Sequence, residues 1–226
     1  MIVTIDGPAG VGKTTVGIRL AARLDAVFVD TGLFYRGLTA LALTRGVSSH
    51  DGTGLAELVP DLERLLPSPD DGSPENGPRV WPASDFIDGT QSSPVEAQVS
   101  VVAGLEEVRA ALLPLQRRAA EADRVVAAGR DVGSVVFPQA DVKVYLEASL
   151  SERARRRAAQ AGQAFQEAIV GEGLAQRDER DSGRALAPLI VPSGAMVVST
   201  DGLSIEEVVN RLEQIVSEAR MRLGDP

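Results

Sequence analysis

The run Gly7-Pro8-Ala9-Gly10-Val11-Gly12-Lys13-Thr14 fits the spacing G-x-x-x-x-G-K-[ST], and Thr15 follows it. Glycines at these positions let the backbone curl tightly and present successive N–H groups to phosphate oxygens at the positive end of a helix dipole. Lys13 then brings a full charge to the β- and γ-phosphates of a nucleoside triphosphate. The Thr14 hydroxyl is placed to ligate a bridging Mg2+. Such a loop by itself leaves kinases, switch GTPases, motors and transport ATPases open. A guanine-reading N-K-x-D element is missing, because the only lysines are Lys13 and Lys143, and Lys143 lies in Val142-Lys143-Val144.

The loop needs a strand before it and a helix after it, and the sequence supplies both. Ile2 to Ile5 reads as a buried strand, and Val16, Leu20 and Leu24 repeat at helical spacing behind the loop. Further aliphatic runs at Ala26 to Val29, Arg124 to Ala127, Val142 to Leu146 and Met196 to Ser199 predict four more strands, with helical patterns between them. That alternation predicts an α/β protein whose parallel sheet is covered on both faces, since parallel neighbours require crossovers. The last helix opens on Ser204-Ile205-Glu206-Glu207, a capping-box pattern, and continues through Val208, Leu212, Ile215 and Ala219. Between Pro67 and Pro94 the prolines at 67, 69, 74, 78, 82 and 94 forbid a core helix. This stretch reads as an irregular insertion, either a small antiparallel sheet around Arg79 to Ile87 or a loop without regular structure.

Composition narrows the function classes. With 226 residues, 44% apolar and 24% charged, the chain is expected to form one α/β domain, 1–226, and not to span a membrane. The net charge of -9 is at odds with a nucleic-acid footprint, which needs a basic face. No cysteine is present, which excludes thiolate nucleophiles, cysteine-held metals and disulfides. Together with an N-terminus lacking the pattern of an export signal, this leads us to expect a cytoplasmic protein. Nothing in the sequence demands more than a monomer.

Three further segments narrow the reading. Asp30-Thr31-Gly32-Leu33-Phe34-Tyr35-Arg36, Gly129-Arg130-Asp131-Val132-Gly133-Ser134-Val135-Val136-Phe137-Pro138 and Arg177-Asp178-Glu179-Arg180-Asp181-Ser182-Gly183-Arg184 resemble the signature segments of bacterial cytidylate kinases, in the family's order and at its usual separations. With the phosphate loop and the Ser100 to Arg109 stretch, the resemblance spans nearly the whole chain except the 67–94 insertion. It implies a three-layer P-loop NTPase fold with a five-stranded parallel sheet and helices on both faces. It also implies a monophosphate-binding insertion at about 39–102 and a short lid at about 157–173. The implied reaction is transfer of the γ-phosphoryl group of ATP to CMP or dCMP, with Mg2+. A nucleoside monophosphate needs no general base, because its second pKa lies near about 6 and the attacking oxygen is already anionic at neutral pH.

The resemblance assigns roles residue by residue. The loop, Gly7 to Thr15, and Arg157 on the lid side would hold ATP, with Lys13, Arg130 and Arg184 catalytic. Arg36 and Arg130, helped by Thr31, would hold the acceptor phosphate. Ser100, Arg109 and Asp131 would read cytosine, Arg109 facing N3 and O2 and Asp131 accepting from the N4 amino group, a donor pattern that uracil partly reverses. Asp181 with Arg177 would take the sugar hydroxyls, and an internal salt bridge from Asp181 to one of the neighbouring arginines is the alternative. Spacings of four and three put Arg177, Asp181 and Arg184 on one face if all three are helical.

Two departures stand out. Similar kinases carry Asp or Glu before the Gly-Arg-Asp element, where this chain has Ala128, so Asp30 is the candidate to order water on the metal from a neighbouring position. Gln91-Ser92-Ser93-Pro94 replaces an expected arginine-containing turn. His50, the sole histidine, sits in the polar run Ser48-Ser49-His50-Asp51-Gly52 and is expected to be exposed and without a role. Rival readings are a kinase of AMP, UMP or shikimate on the same fold, a binding module that holds ATP without transfer, and a nucleic-acid-associated ATPase.

Overall fold

A computed structural model describes residues 1–66, 79–82, 92–160, 162 and 166–223. β1 (Ile2–Asp6) is what a central parallel strand must be, buried on both faces: Val3, Thr4, Ile5 and Asp6 have no exposed surface. The loop that leaves it turns into α1 (Lys13–Arg23) through Gly12, whose φ of 99° is open to glycine and strained for other residues. Gly7 has a second reason to be glycine, since a Cβ there would lie 2.3 Å from the Leu146 carbonyl oxygen.

β2 (Val27–Asp30) ends on Asp30, whose carboxylate accepts from the Gly32 N–H and caps α2 (Thr31–Arg45). Two short helices follow, α3 (Gly52–Glu57) and α4 (Val59–Leu65), then β3 (Val80–Trp81), α5 (Ser93–Val102) and α6 (Glu106–Arg117). The chain returns to the sheet as β4 (Val125–Gly129), makes one π-helical turn over Val132–Val136, and continues as β5 (Val142–Glu147). α7 (Leu150–Gln160), α8 (Glu167–Ser182), β6 (Met196–Ser199) and α9 (Ile205–Leu223) complete it.

The strand order is β3-β2-β4-β1-β5-β6 and every pairing is parallel. The five predicted strands are all present, but the expectation of a five-stranded sheet is corrected: among the described residues there are six strands. The additional one is β3, where Phe28 pairs with Val80 and Val29 with Trp81. Two residues between Pro78 and Pro82 are too short a run to show strand periodicity. What fixes them is burial of Trp81 edge-on against Phe34, with ring centroids 5.0 Å apart. β3 also lies parallel to its neighbour, not antiparallel as weighed for residues 79–87. Of the rest of the 67–94 insertion, Ser92 to Pro94 open α5, with proline tolerated in the first turn, and 67–78 and 83–91 lie outside the described residues.

Helices cover both faces. α2 to α6 bury Phe34, Leu38, Leu55, Leu62 and Leu112 on one face, while α1 and α9 bury Leu20, Val209, Leu212 and Val216 on the other. Ser204 caps α9 as its pattern predicts: its N–H donates to Glu207 Oε2 at 2.8 Å and its Oγ accepts from the Glu207 N–H at 3.3 Å. His50 is exposed. The carboxyl ends of β1, β2 and β4 carry, in turn, the phosphate loop, Asp30 with Thr31, and Gly129 with Arg130 and Asp131. In open parallel sheets that end is where ligands bind.

Candidate active site

A cleft of about 670 Å3 opens over those strand ends. The structure brings to its wall the loop residues Ala9 to Thr15, together with Thr31, Arg36, Ser100, Arg109, Arg130, Asp131, Arg157, Arg177, Asp181 and Arg184. Two predicted site residues, Gly7 and Pro8, stand behind the wall. Their carbonyls accept from Lys13 Nζ at 2.8 and 2.7 Å, which holds the ammonium across the mouth of the loop. Burial, with the Arg130 charge beside it, holds the Lys13 pKa well below the ordinary lysine range. Phosphate oxygens bound in the loop would bring negative charge that favours the ammonium form.

The arginines lie parked on carboxylates. Asp181 Oδ2 accepts from Arg130 Nε at 2.9 Å and Asp181 Oδ1 accepts from Arg184 Nη2 at 2.5 Å, while Arg130 Nη1 also donates to the Gly7 carbonyl at 3.1 Å. Burial would raise the Asp181 pKa, but Arg130 and Arg184 outweigh it and hold it below the usual carboxylate value. α8 ends at Ser182, so Arg184 reaches Asp181 from just beyond the helix and not along its face. Arg177 also lies near this cluster. Burial and then the Arg130 charge lower its pKa to about 10, and among the described residues its buried Nε has no hydrogen-bond partner. A buried donor left unmatched is costly unless something else meets it, and a sugar hydroxyl or a phosphate oxygen would.

Beside this cluster Asp131 and Arg109 form a buried ion pair. Arg109 Nη1 donates to the Ala103 carbonyl at 2.9 Å, and its guanidinium lies 5.6 Å from the centre of the Tyr35 ring. Burial pushes the Asp131 pKa up, and Arg109 is the strongest of the groups opposing that push. Ser100 stands on α5 and Arg109 on α6, so the chain turns between them, and the Ser100 hydroxyl donates to Asp181 at 3.4 Å. Arg36 and Arg157 both meet Glu96, at 3.3 and 2.9 Å.

Asp6 carries no signal that marks it as part of this site, yet it shapes the site. Its carboxylate accepts from the Val132 N–H at 2.7 Å and the Gly133 N–H at 2.8 Å, which pins the turn that carries Arg130 and Asp131. Burial raises its pKa to about 6 against the pull of those two N–H groups. Glu96 was equally invisible, because an exposed glutamate on a helix has no distinguishing pattern.

A family model described as cytidylate kinase matches residues 3–218. The chain belongs to the cytidylate kinase family. A relative named cytidylate kinase from Shouchella clausii (strain KSM-K16) is 39% identical over 219 residues, covering 96% of each chain. Another with that name, from Exiguobacterium sp. (strain ATCC BAA-1283 / AT1b), is 40% identical over 224 residues, covering 96% of this chain and 97% of the other. A bifunctional pantoate ligase/cytidylate kinase from Synechococcus sp. (strain CC9605) is 42% identical over 229 residues, where 99% of this chain matches 46% of the longer protein.

In this member of the cytidylate kinase family Ala128, where the resemblance leads us to expect a carboxylate, pairs across the sheet with Asp30. Asp30 Oδ2 accepts from the Thr14 hydroxyl at 2.9 Å, and Thr31 Oγ1 donates to the Ala128 carbonyl at 3.0 Å. A carboxylate thus stands beside the residue predicted to ligate magnesium, supplied by the neighbouring strand. Among the described residues no group of three or more His, Cys, Asp or Glu could hold a metal by itself. The donor set fits an ion that keeps most of its ligands from phosphate and water. Asp30→Ala is expected to raise the Mg2+ concentration for half-maximal rate by about tenfold, measured as a magnesium titration at fixed ATP.

Proposed function

We propose that this chain transfers the γ-phosphoryl group of ATP to CMP and dCMP, forming CDP and dCDP by in-line attack. The observation that carries the reading is the convergence of Lys13, Arg36, Arg130, Arg177 and Arg184 on one cleft beside a buried Arg109–Asp131 pair. Two like charges about 4 Å apart repel by about 4 kcal/mol at an effective dielectric of about 20, and both reactants are multiply charged. Guanidinium groups from several elements are what this barrier demands.

In this mechanism the loop N–H groups and Lys13 hold the β- and γ-phosphates. Arg36 and Arg130, with Thr31, align the acceptor phosphate, and Arg184 follows the charge on the transferring group. Thr14 and, through it, Asp30 would hold magnesium, which would offset part of the triphosphate's charge. Arg109 and Asp131 match the edge of cytosine, with Ser100 alongside, and Asp181 with Arg177 receives the sugar hydroxyls. Incoming phosphate oxygens exchange for the carboxylates that Arg36, Arg130 and Arg184 meet in the free protein, so these guanidinium groups stay partnered before and after binding.

Residues 39–102 act as the monophosphate-binding part and 157–173, with Arg157, as a lid over ATP that limits hydrolysis by excluding water. Residues 161 and 163–165 of that lid lie outside the described residues. Among the described residues no helix is long and apolar enough to cross a membrane, and a cytoplasmic, monomeric enzyme is the reading that accompanies the activity. A coupled assay with ATP across CMP, dCMP, UMP, AMP and shikimate tests it. CMP and dCMP are expected to exceed the other acceptors in kcat/KM by at least about a hundredfold, and equal use of UMP or AMP would refute the assignment to cytosine.

A further inference from the structure

Ala9, in the phosphate loop, is held from both sides by two side chains that do not line the cleft. Its N–H donates to Asp178 Oδ1 at 2.9 Å, and its carbonyl accepts from Arg153 Nη1 at 3.0 Å. Arg153 Nη1 also pairs with Asp178 Oδ2, and Arg153 Nε donates to the Ala148 carbonyl at 3.2 Å. Arg153 belongs to α7 and Asp178 to α8, and Ala9 is packed between those helices against Ala154 and Leu174. Both polar atoms of one loop residue are therefore fixed to the two helices of the lid side.

α8 also delivers Arg177 and Asp181 to the cleft, so one rigid element touches the donor loop and the acceptor site. Besides the packing of Leu174, two polar ties join α8 to the loop among the described residues. The first runs from Asp181 through Arg130 to the Gly7 carbonyl and is made of groups that bind substrate, so it is exchanged when an acceptor phosphate arrives. The second, from Asp178 to the Ala9 N–H, is anchored on a carboxylate that does not line the cleft, so an arriving nucleotide leaves it in place.

We propose that the Arg153–Asp178 pair is a positioning device that couples the ATP loop to α8, which carries Arg177 and Asp181 into the cleft, so that each nucleotide binds more tightly when the other is present. The inference rests on the reading of the cleft as an ATP–CMP site. Anion binding in the loop loads the Ala9 peptide, the pair passes that load to α8, and Arg177 and Asp181 are set for the second nucleotide. Linkage makes the effect reciprocal.

The test is calorimetric titration of CMP with and without a saturating non-transferring ATP analogue (the β,γ-imido triphosphate, with magnesium). In the wild type the analogue is expected to tighten CMP by about fivefold or more. In Asp178→Ala that ratio falls to about one, while the Kd for CMP alone changes by less than about twofold. A purely structural role would weaken both titrations alike. Should Asp178→Ala fail to fold, Asp178→Asn, which is isosteric and keeps an acceptor for the Ala9 N–H but not a charge for Arg153, is read the same way, with the ratio at least about halved. A ratio in the folded variant equal to the wild-type ratio, or a wild-type ratio of one, overturns the coupling while leaving CMP binding intact. A wild type that binds no CMP defeats the underlying reading instead, and the coupling with it.

Discussion

Lys13→Ala is expected to lower kcat for phosphoryl transfer by about a thousandfold, the cost of losing a preorganised donor aimed at developing charge in a site shielded from water. The effect concentrates in kcat because the loop N–H groups still grip the phosphates. Stability should change by no more than about 1 kcal/mol. A buried ammonium beside Arg130 is unfavourable in the free protein, and its removal offsets the loss of a donor to the Gly7 and Pro8 carbonyls. Single-turnover rates and thermal melts of the same preparation check both halves: a rate loss with a preserved melting temperature is the expected pair.

Arg130→Lys is expected to cost about a hundredfold in kcat/KM for CMP, and Arg130→Ala about a further tenfold or more. Arg130 reaches Asp181 through Nε and the Gly7 carbonyl through Nη1, so its planar fork spans the sugar-side carboxylate and the donor loop together. A lysine keeps the charge but not the fork. Asp181 adds a pH signature. Its pKa lies below the unfolded value, so the stability it contributes is present above about pH 4 and is lost as pH falls through the folded value. With Arg130 gone, only Arg184 and Arg177 of the three arginines remain to hold that carboxylate down, so Arg130→Ala should show a smaller loss of stability between neutral and acid pH than the wild type. Steady-state kinetics and melting curves across that range measure the two effects.

What the sequence made legible was local. Gly7 to Thr14 needs a strand, a turn and a helix in direct succession, and all three are contiguous in the chain, so the loop was readable with its chemistry. The runs at β1, β2, β4, β5 and β6 are long enough to show themselves, and the Gly129 to Pro138 segment carries Arg130 and Asp131 in a distinctive string. What stayed hidden depends on partners far away in sequence. β3 is two residues whose strand character comes from pairing with β2 and from Trp81 meeting Phe34. Asp6 acts on the N–H groups of Val132 and Gly133, which lie 126 and 127 positions on, and main-chain donors leave no mark in a sequence. Asp178 sits inside a quoted segment, but its partner Ala9 is 169 positions away. Residue types announce which charges are available, and only the folded chain says which of them meet.

The most direct measurement follows γ-labelled phosphate from ATP in a single turnover with CMP, wild type and Lys13→Ala side by side. Label appearing in CDP with the wild type, and nearly absent from it with the variant, is the predicted result. Label released as inorganic phosphate whether or not CMP is present, or equal labelled CDP from both proteins, would contradict the account.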